Sequence, residues 1–271
     1  MSLLIRTWNV FHGNAYPPER RAFLRDAVEL ASADEPDILC LQEVPAWALG
    51  RLDEWSGMRA FGVVAAPPRL GPFPSTPEIG RRISSIHNGL LRSEFSGQAN
   101  AMLTAPALRP LEEQQTIVLN ERRFRRAQAR WLGLDLLTQL AWSKERRVCQ
   151  AVRLAVPDGR VLVLANLHAT ASRDRRVSDA ELFRAATFAD ALAEPSDVCV
   201  VAGDFNVTDA TSRTLDDLIG PEWGFSAPGP AVDHILVRGA KAEAAQEWPR
   251  ERRRVTGRLL SDHAPVEVTI E

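Results

Sequence analysis

Short apolar runs, each closing on a polar group, recur along this chain. Leu3–Trp8 is apolar and β-prone and predicts a strand, and Asp37–Leu41 predicts another. Between them Leu24, Ala27, Val28 and Ala31 recur at helical spacing, after Pro17-Pro18 and before Asp34-Glu35-Pro36. Residues 64–80 are rich in proline and glycine and read as a loop. Ala99–Leu103 and Thr116–Leu119 read as short strands. Val148–Val156 and Val161–Leu167 flank Pro157-Asp158-Gly159, a hairpin signal. Ser178 with Glu181 has the form of a capping box, and Leu182, Ala185, Ala189 and Leu192 continue a helical stripe. Val198–Ala202, Val232–Val237 and Pro265–Ile270 complete the strands. Residues 121–144 read as a helix with Arg122, Arg123, Arg125, Arg126 and Arg130 near its start. Strands outnumber helices and the helices fall between them, which predicts sheet layers covered by helices. No internal repeat or linker divides the pattern, so residues 1–271 read as one domain.

Composition narrows the function classes. Hydrophobic residues make up 45% of the 271 residues, enough for a substantial core. The formal net charge of −2 excludes a uniformly basic nucleic-acid binder but leaves room for a basic face. Only Lys144 and Lys241 among the 33 cationic side chains are lysines; the others are arginines, which suit phosphate recognition. Cys40, Cys149 and Cys199 each sit in an apolar run with no paired spacing, so they read as reduced core residues. No signal-peptide layout and no run of membrane length is present, so the expectation is a cytoplasmic protein with no membrane span and no obligate protein partner.

The strand ends carry the candidate chemistry. VCVVAGDFNVTD is a buried strand that closes on an acid and an amide. Alternation in an extended chain puts Asp204 and Asn206 on one face and Phe205 on the other. Thr7 and Asn9 share a face opposite Trp8, and Asn166 shares one with His168. Glu43 follows the run ILCLQ, Asp233 lies near the start of a strand, and Asp262-His263 precedes the last one. His234 should face away from any site, and His12, on the loop after Asn9, is left outside it. Each group alone has a dull explanation as a cap, a turn or a satisfied core residue; the set is what points to chemistry.

The motifs TWNV, LQEV, NLHAT, GDFN, VDHILV and SDHAPV, in that order from Ile5 to Ile270, resemble the endonuclease/exonuclease/phosphatase superfamily of DNase I-like phosphohydrolases. The resemblance implies an α/β (α+β) fold, a four-layer α/β/β/α sandwich of two facing mixed sheets with a site at one end. It implies Glu43 as a metal ligand, Asn9 helping, and Asp262 as an adjacent ligand. It implies Asp233 orienting His263, Asp204 positioning or deprotonating the attacking water, Asn206 donating to the phosphoryl oxygen and His168 contacting the phosphate. Either Asp204 or His263 is then the general base. Converging carboxylates about 4 Å apart repel by about 4 kcal/mol at an effective dielectric of about 20, which a bound cation relieves. Oxygen donors without a thiolate favour Mg²⁺, with Mn²⁺ as substitute. The expected substrate is a phosphoester, with a DNA or RNA backbone as the first candidate. A small molecule or lipid head group is the second, and a catalytically dead phosphate-binding module the third. The arginines at 250, 252, 253, 254 and 258 could serve a nucleic-acid backbone.

Overall fold

A computed structural model describes residues 1–70, 73–89, 95–226 and 228–271. In chain order its main elements are β1 (Leu3–Asn9), α1 (Leu24–Ser32), β2 (Ile38–Val44), α2 (Leu52–Ser56), β3 (Arg59–Ala66), α3 (Pro77–Ser84), β4 (Gln98–Thr104), β5 (Arg109–Pro110), β6 (Gln115–Val118), α4 (Arg122–Trp131), α5 (Leu136–Lys144), β7 (Val148–Ala155), β8 (Val161–His168), α6 (Arg175–Leu192), β9 (Val198–Asp204), α7 (Arg213–Ile219), β10 (Asp233–Arg238), β11 (Gln246–Glu247) and β12 (Val266–Ile270).

Two sheets form. One runs β11-β12-β1-β2-β4-β3; the other runs β10-β9-β8-β7-β5, with β6 also paired to β7. Each contains one parallel pair, β1 with β2 and β8 with β9, joined through a helix, and the remaining neighbours described are antiparallel. The inward faces meet in an apolar cluster that includes Ile5, Ile38, Met102, Leu154, Leu164 and Val200. Trp8, Leu39 and Leu41 face outward and pack on Leu24 and Val28 of α1, and on Leu52 of α2. Val163, Val201 and Phe205 face outward on the second sheet and pack on Leu182 and Ala185 of α6, and on Leu215 of α7. The result is the expected α/β/β/α sandwich of two mixed sheets. Each fully buried Leu or Ile contributes roughly 1.5–3 kcal/mol, so all three apolar layers hold the sheets in place.

Near one end the inner layer turns polar. Gln42 Nε2 donates to Thr7 Oγ1 at 3.0 Å and, across the sheets, to Asn166 Oδ1 at 2.8 Å. Asn166 Nδ2 donates back to the carbonyls of Leu41 and Ala101. Gly203 lies on the same side of the molecule, paired to Leu167. Its φ is +142°, and a Cβ there would fall 1.9 Å from the Leu167 carbonyl oxygen. Only glycine lets β8 and β9 approach this closely.

Several local expectations change. Of the predicted 64–80 loop, Gly71 and Pro72 lie outside the described residues. The rest holds the end of β3, the paired short strands Arg69–Leu70 and Phe73–Pro74, and the start of α3, which Thr76 caps by accepting from the Ile79 amide with Pro77 next to it. The 121–144 helix is two helices, broken where Gly133 takes φ +62° and Asp135 caps the second by accepting from the Thr138 amide. Ser178 and Glu181 do not form a capping box. Asp174 caps α6, and Glu181 lies inside it, fully buried, accepting from Trp142 Nε1 and from the Thr170 amide and hydroxyl. No helix among the described residues is long and apolar enough to cross a membrane.

Candidate active site

Register aligns three of the candidate side chains. His168 pairs with Asp204 across β8–β9, and Asp204 pairs with Asp233 across β9–β10. Directly opposed residues present their side chains on one face, so the row His168, Asp204, Asp233 follows from strand geometry. The other sheet supplies Asn9 at the end of β1, whose Nδ2 donates to Asp204 Oδ2 at 3.0 Å. Ser261 Oγ donates to the Asn9 carbonyl, which carries the 261–263 turn to the site. His263 then meets Asp233, Nδ1 to Oδ2 at 2.7 Å, and its Nε2 lies 3.8 Å from Asp204 Oδ2. Asp204, Asp233 and His263 each place a ligand atom within 4.8 Å of the others.

Burial, then the Asp233 charge, pushes the buried Asp204 carboxyl up to about 7, against the pull of His263 and Asn9. For His263 burial opposes the charge, but the Asp233 hydrogen bond and carboxylate, with Asp204 and Asp262, raise it to about 10. His168 goes the other way: burial and the Arg147 guanidinium hold it well below the ordinary histidine range, so it is neutral. Its Nδ1 faces the donors Gln98 Nε2 at 2.9 Å and Arg147 Nη1 at 3.0 Å. Two donors on Nδ1 favour a proton on Nε2, which points toward Asp204 Oδ2 at 3.5 Å and also lies 3.3 Å from Arg147 Nη1.

Glu43 stands beside this row. Its Oε2 lies 3.0 Å from His12 Nε2 and its Oε1 3.9 Å from His168 Nε2. Burial would raise its carboxyl, but His12, then His168 and Arg147, hold it well below the usual carboxylate range. The β2–β4 register shifts between Leu41 and Val44, and Glu43 sits in that shift at φ +55°. His12 and Asn206 also have positive φ, +52° and +53°. Three non-glycine residues in the left-handed region at one place is strain concentrated at the candidate site.

One expectation needs correction. β9 ends at Asp204, so Asn206 is placed by the turn and not by strand alternation. Its amide N–H donates to Asp204 Oδ1 and its side-chain Nδ2 to the Ala169 carbonyl, leaving one Nδ2 hydrogen for another acceptor. Asp262 is exposed and Glu43 half-buried, and neither joins the tight Asp204–Asp233–His263 group. His12 was expected outside the site but meets Glu43, and Gln98 and Arg147, which were not singled out, both touch His168. His234 does face away, stacked on Phe205 and donating from Nε2 to the Val207 carbonyl.

The residues present fit a hard divalent cation. Asp233 Oδ1 is buried without a hydrogen-bond partner, and the fold resists the charge on Asp204; a cation relieves both. The three thiols lie buried in apolar layers. Glu43, Asn9 and Asp262 would supply oxygen donors.

The Asp233–His263 pair has a pH signature. A histidine raised from about 6.5 to about 10 stabilises the fold fully below about pH 6.5, and this contribution is lost as pH rises through 10. The Asp233→Asn variant should therefore be least stable relative to the parent at low pH, with the difference in Tm shrinking toward pH 10. A difference in Tm independent of pH would contradict the pairing.

The profile of the Endonuclease/Exonuclease/phosphatase family matches residues 7–263. No curated protein sequence matches the chain. Among solved structures, an endonuclease/exonuclease/phosphatase from Bacteroides vulgatus superposes with a TM-score of 0.68 at 15% identity, covering 100% of this chain and 99% of that one. Truncated TDP2 from Caenorhabditis elegans gives 0.61 at 16% identity, covering 100% and 97%. A conserved protein of unknown function from Enterococcus faecalis gives 0.65 at 14% identity, covering 99% of each. At these identities the likeness is one of fold.

Proposed function

Because the chain belongs to the endonuclease/exonuclease/phosphatase family, we propose that it is a divalent-metal-dependent hydrolase of phosphoester bonds, acting first of all as a phosphodiesterase or nuclease. The observation that carries this reading is the buried Asp204 carboxylate, touched by Asn9 and flanked by His168 and by the Asp233–His263 pair. An acid pushed to about 7 gives and takes a proton at neutral pH, whereas a histidine held near 10 stays protonated there. This favours Asp204 as the general base that takes a proton from water.

His263, charged and fixed by Asp233, then supports the negative charge that builds on the phosphoryl group. Neutral His168 donates from Nε2, and the second Nδ2 hydrogen of Asn206 donates to a phosphoryl oxygen. Glu43, with Asn9 and Asp262, would hold Mg²⁺ or Mn²⁺, which would supply Lewis acidity and orientation at the phosphoryl group. A DNA or RNA backbone is the substrate class we favour; a small-molecule or lipid head-group phosphodiester is the second. A panel of bis-p-nitrophenyl phosphate, DNA, RNA, inositol phosphates and sphingomyelin with Mg²⁺ and Mn²⁺ tests this. Turnover of DNA that falls steeply with salt is expected for the nuclease. Hydrolysis confined to monoesters would overturn the phosphodiesterase reading.

A further inference from the structure

α5 turns its three leucines outward, and α4 ends on an exposed tryptophan. Trp131 is 80% exposed, Leu136 69%, Leu137 78% and Leu140 57%. On α5 the inner face carries Thr138 and Gln139, both half-buried, with Trp142 as its one buried residue. This is an amphipathic helix inverted with respect to the core, and core packing does not account for it. The apolar residues sit beside a set of cations. Arg122, Arg123, Arg126 and Arg130 are exposed on α4, and among the described residues none forms an ion pair. The acids of the segment are engaged: Glu121 pairs with Arg184, Glu145 pairs with Arg147, and Asp135 caps α5. The free charge of this surface is positive.

We propose that the α4–α5 pair is a docking surface for an anionic lipid bilayer. A nucleic acid would satisfy the arginines but leave three leucines in water. A bilayer interface takes both, with Trp and Leu at the acyl boundary and arginines at the head groups. The surface is coupled to the candidate site. Asn120 Nδ2 donates to the carbonyls of Trp142 and Glu145, Asn120 Oδ1 accepts from the Arg147 amide, and the Arg147 side chain meets His168. The docking surface and His168 are thus joined through Asn120 and Arg147. The proposal does not depend on the phosphoester hydrolysed.

Vesicle flotation tests it. The protein should float with vesicles of equal parts phosphatidylcholine and phosphatidylglycerol, and stay behind with phosphatidylcholine alone. Tryptophan emission should shift to the blue on binding, and Trp131→Phe should remove most of that shift. Arg123→Ala with Arg126→Ala should weaken binding roughly thirtyfold, about fivefold for each arginine. Leu136→Ser with Leu137→Ser should abolish it while leaving hydrolysis of a soluble phosphodiester unchanged. The proposal fails if the parent protein ignores anionic vesicles. It also fails if the leucine variant converts a dimer to a monomer in sedimentation without lipid binding by the parent, or if the arginine variant loses only single-stranded DNA binding.

Discussion

Asp204→Asn is expected to lower turnover of a phosphodiester by roughly 10³-fold or more while leaving the far-ultraviolet circular dichroism unchanged, the size that removal of a general base produces. The amide keeps an oxygen for the Asn206 amide hydrogen, so the turn after β9 survives. It cannot accept a proton from water. His263→Ala should give a loss of similar order, because it removes the charge facing the phosphoryl group and leaves the buried Asp233 carboxylate without its partner. A second readout separates chemistry from folding. Asp204 is raised from about 3.8 to about 7, so folding opposes its ionisation. The opposition is absent below about pH 4, grows as pH rises to 7, and is complete above it. Without metal, the stability of the Asp204→Asn protein relative to the parent should therefore be highest above pH 7 and fall in acid, on top of a pH-independent cost for the Asn9 hydrogen bond that it loses. Near-normal turnover in either variant would sink the assignment. A variant destabilised equally at every pH would show that Asp204 is structural.

Chelation should be as damaging. EDTA is expected to abolish hydrolysis, and Mg²⁺ or Mn²⁺ added in excess to restore it. The ion should also be visible without any substrate. A ligand at about a hundred times its Kd adds about 2.7 kcal/mol to the stability of a folded protein, so Tm should rise on adding Mg²⁺. The rise should shrink in Glu43→Gln, which keeps the shape of the side chain but not its charge. Full turnover in chelator would remove the metal from the mechanism, and an unchanged Tm together with full turnover would remove it from the site.

The fold was largely legible because its signals are local. Short apolar runs marked eight of the longer strands, and the Pro157-Asp158-Gly159 turn marked the hairpin of β7 and β8. The convergence of Asn9, His168, Asp204 and Asp233 was legible because each lies at a strand end, where the register decides what meets, and His263 reaches them on the turn before the last strand. What was hidden depends on partners far away in sequence. Nothing near His12 announces Glu43, since the contact arises only when both residues enter left-handed backbone. Gln98 is 70 residues from His168 and Arg147 is 21, and both look like ordinary polar positions in a strand or loop. Ser178 and Glu181 had the right spacing for a cap, but Asp174 lies upstream and Glu181 serves Thr170 and Trp142 instead. α3 was concealed by the proline and glycine around it, although Thr76-Pro77 is itself a helix start.

The Gln42–Asn166 link bears on how accurately the two halves of the site are aligned. Apolar layers hold sheets together but tolerate sliding, because hydrophobic contact has no preferred direction. Glu43 and Asn9 ride on one sheet, His168 and Asp204 on the other, so a slip of an ångström between them would part the groups. A hydrogen bond of 2.8 Å from Gln42, whose chain neighbour is Glu43, to Asn166, two residues before His168, tolerates no such slip. It acts as a dowel, setting the alignment of two otherwise slippery surfaces at the end where sub-ångström placement matters.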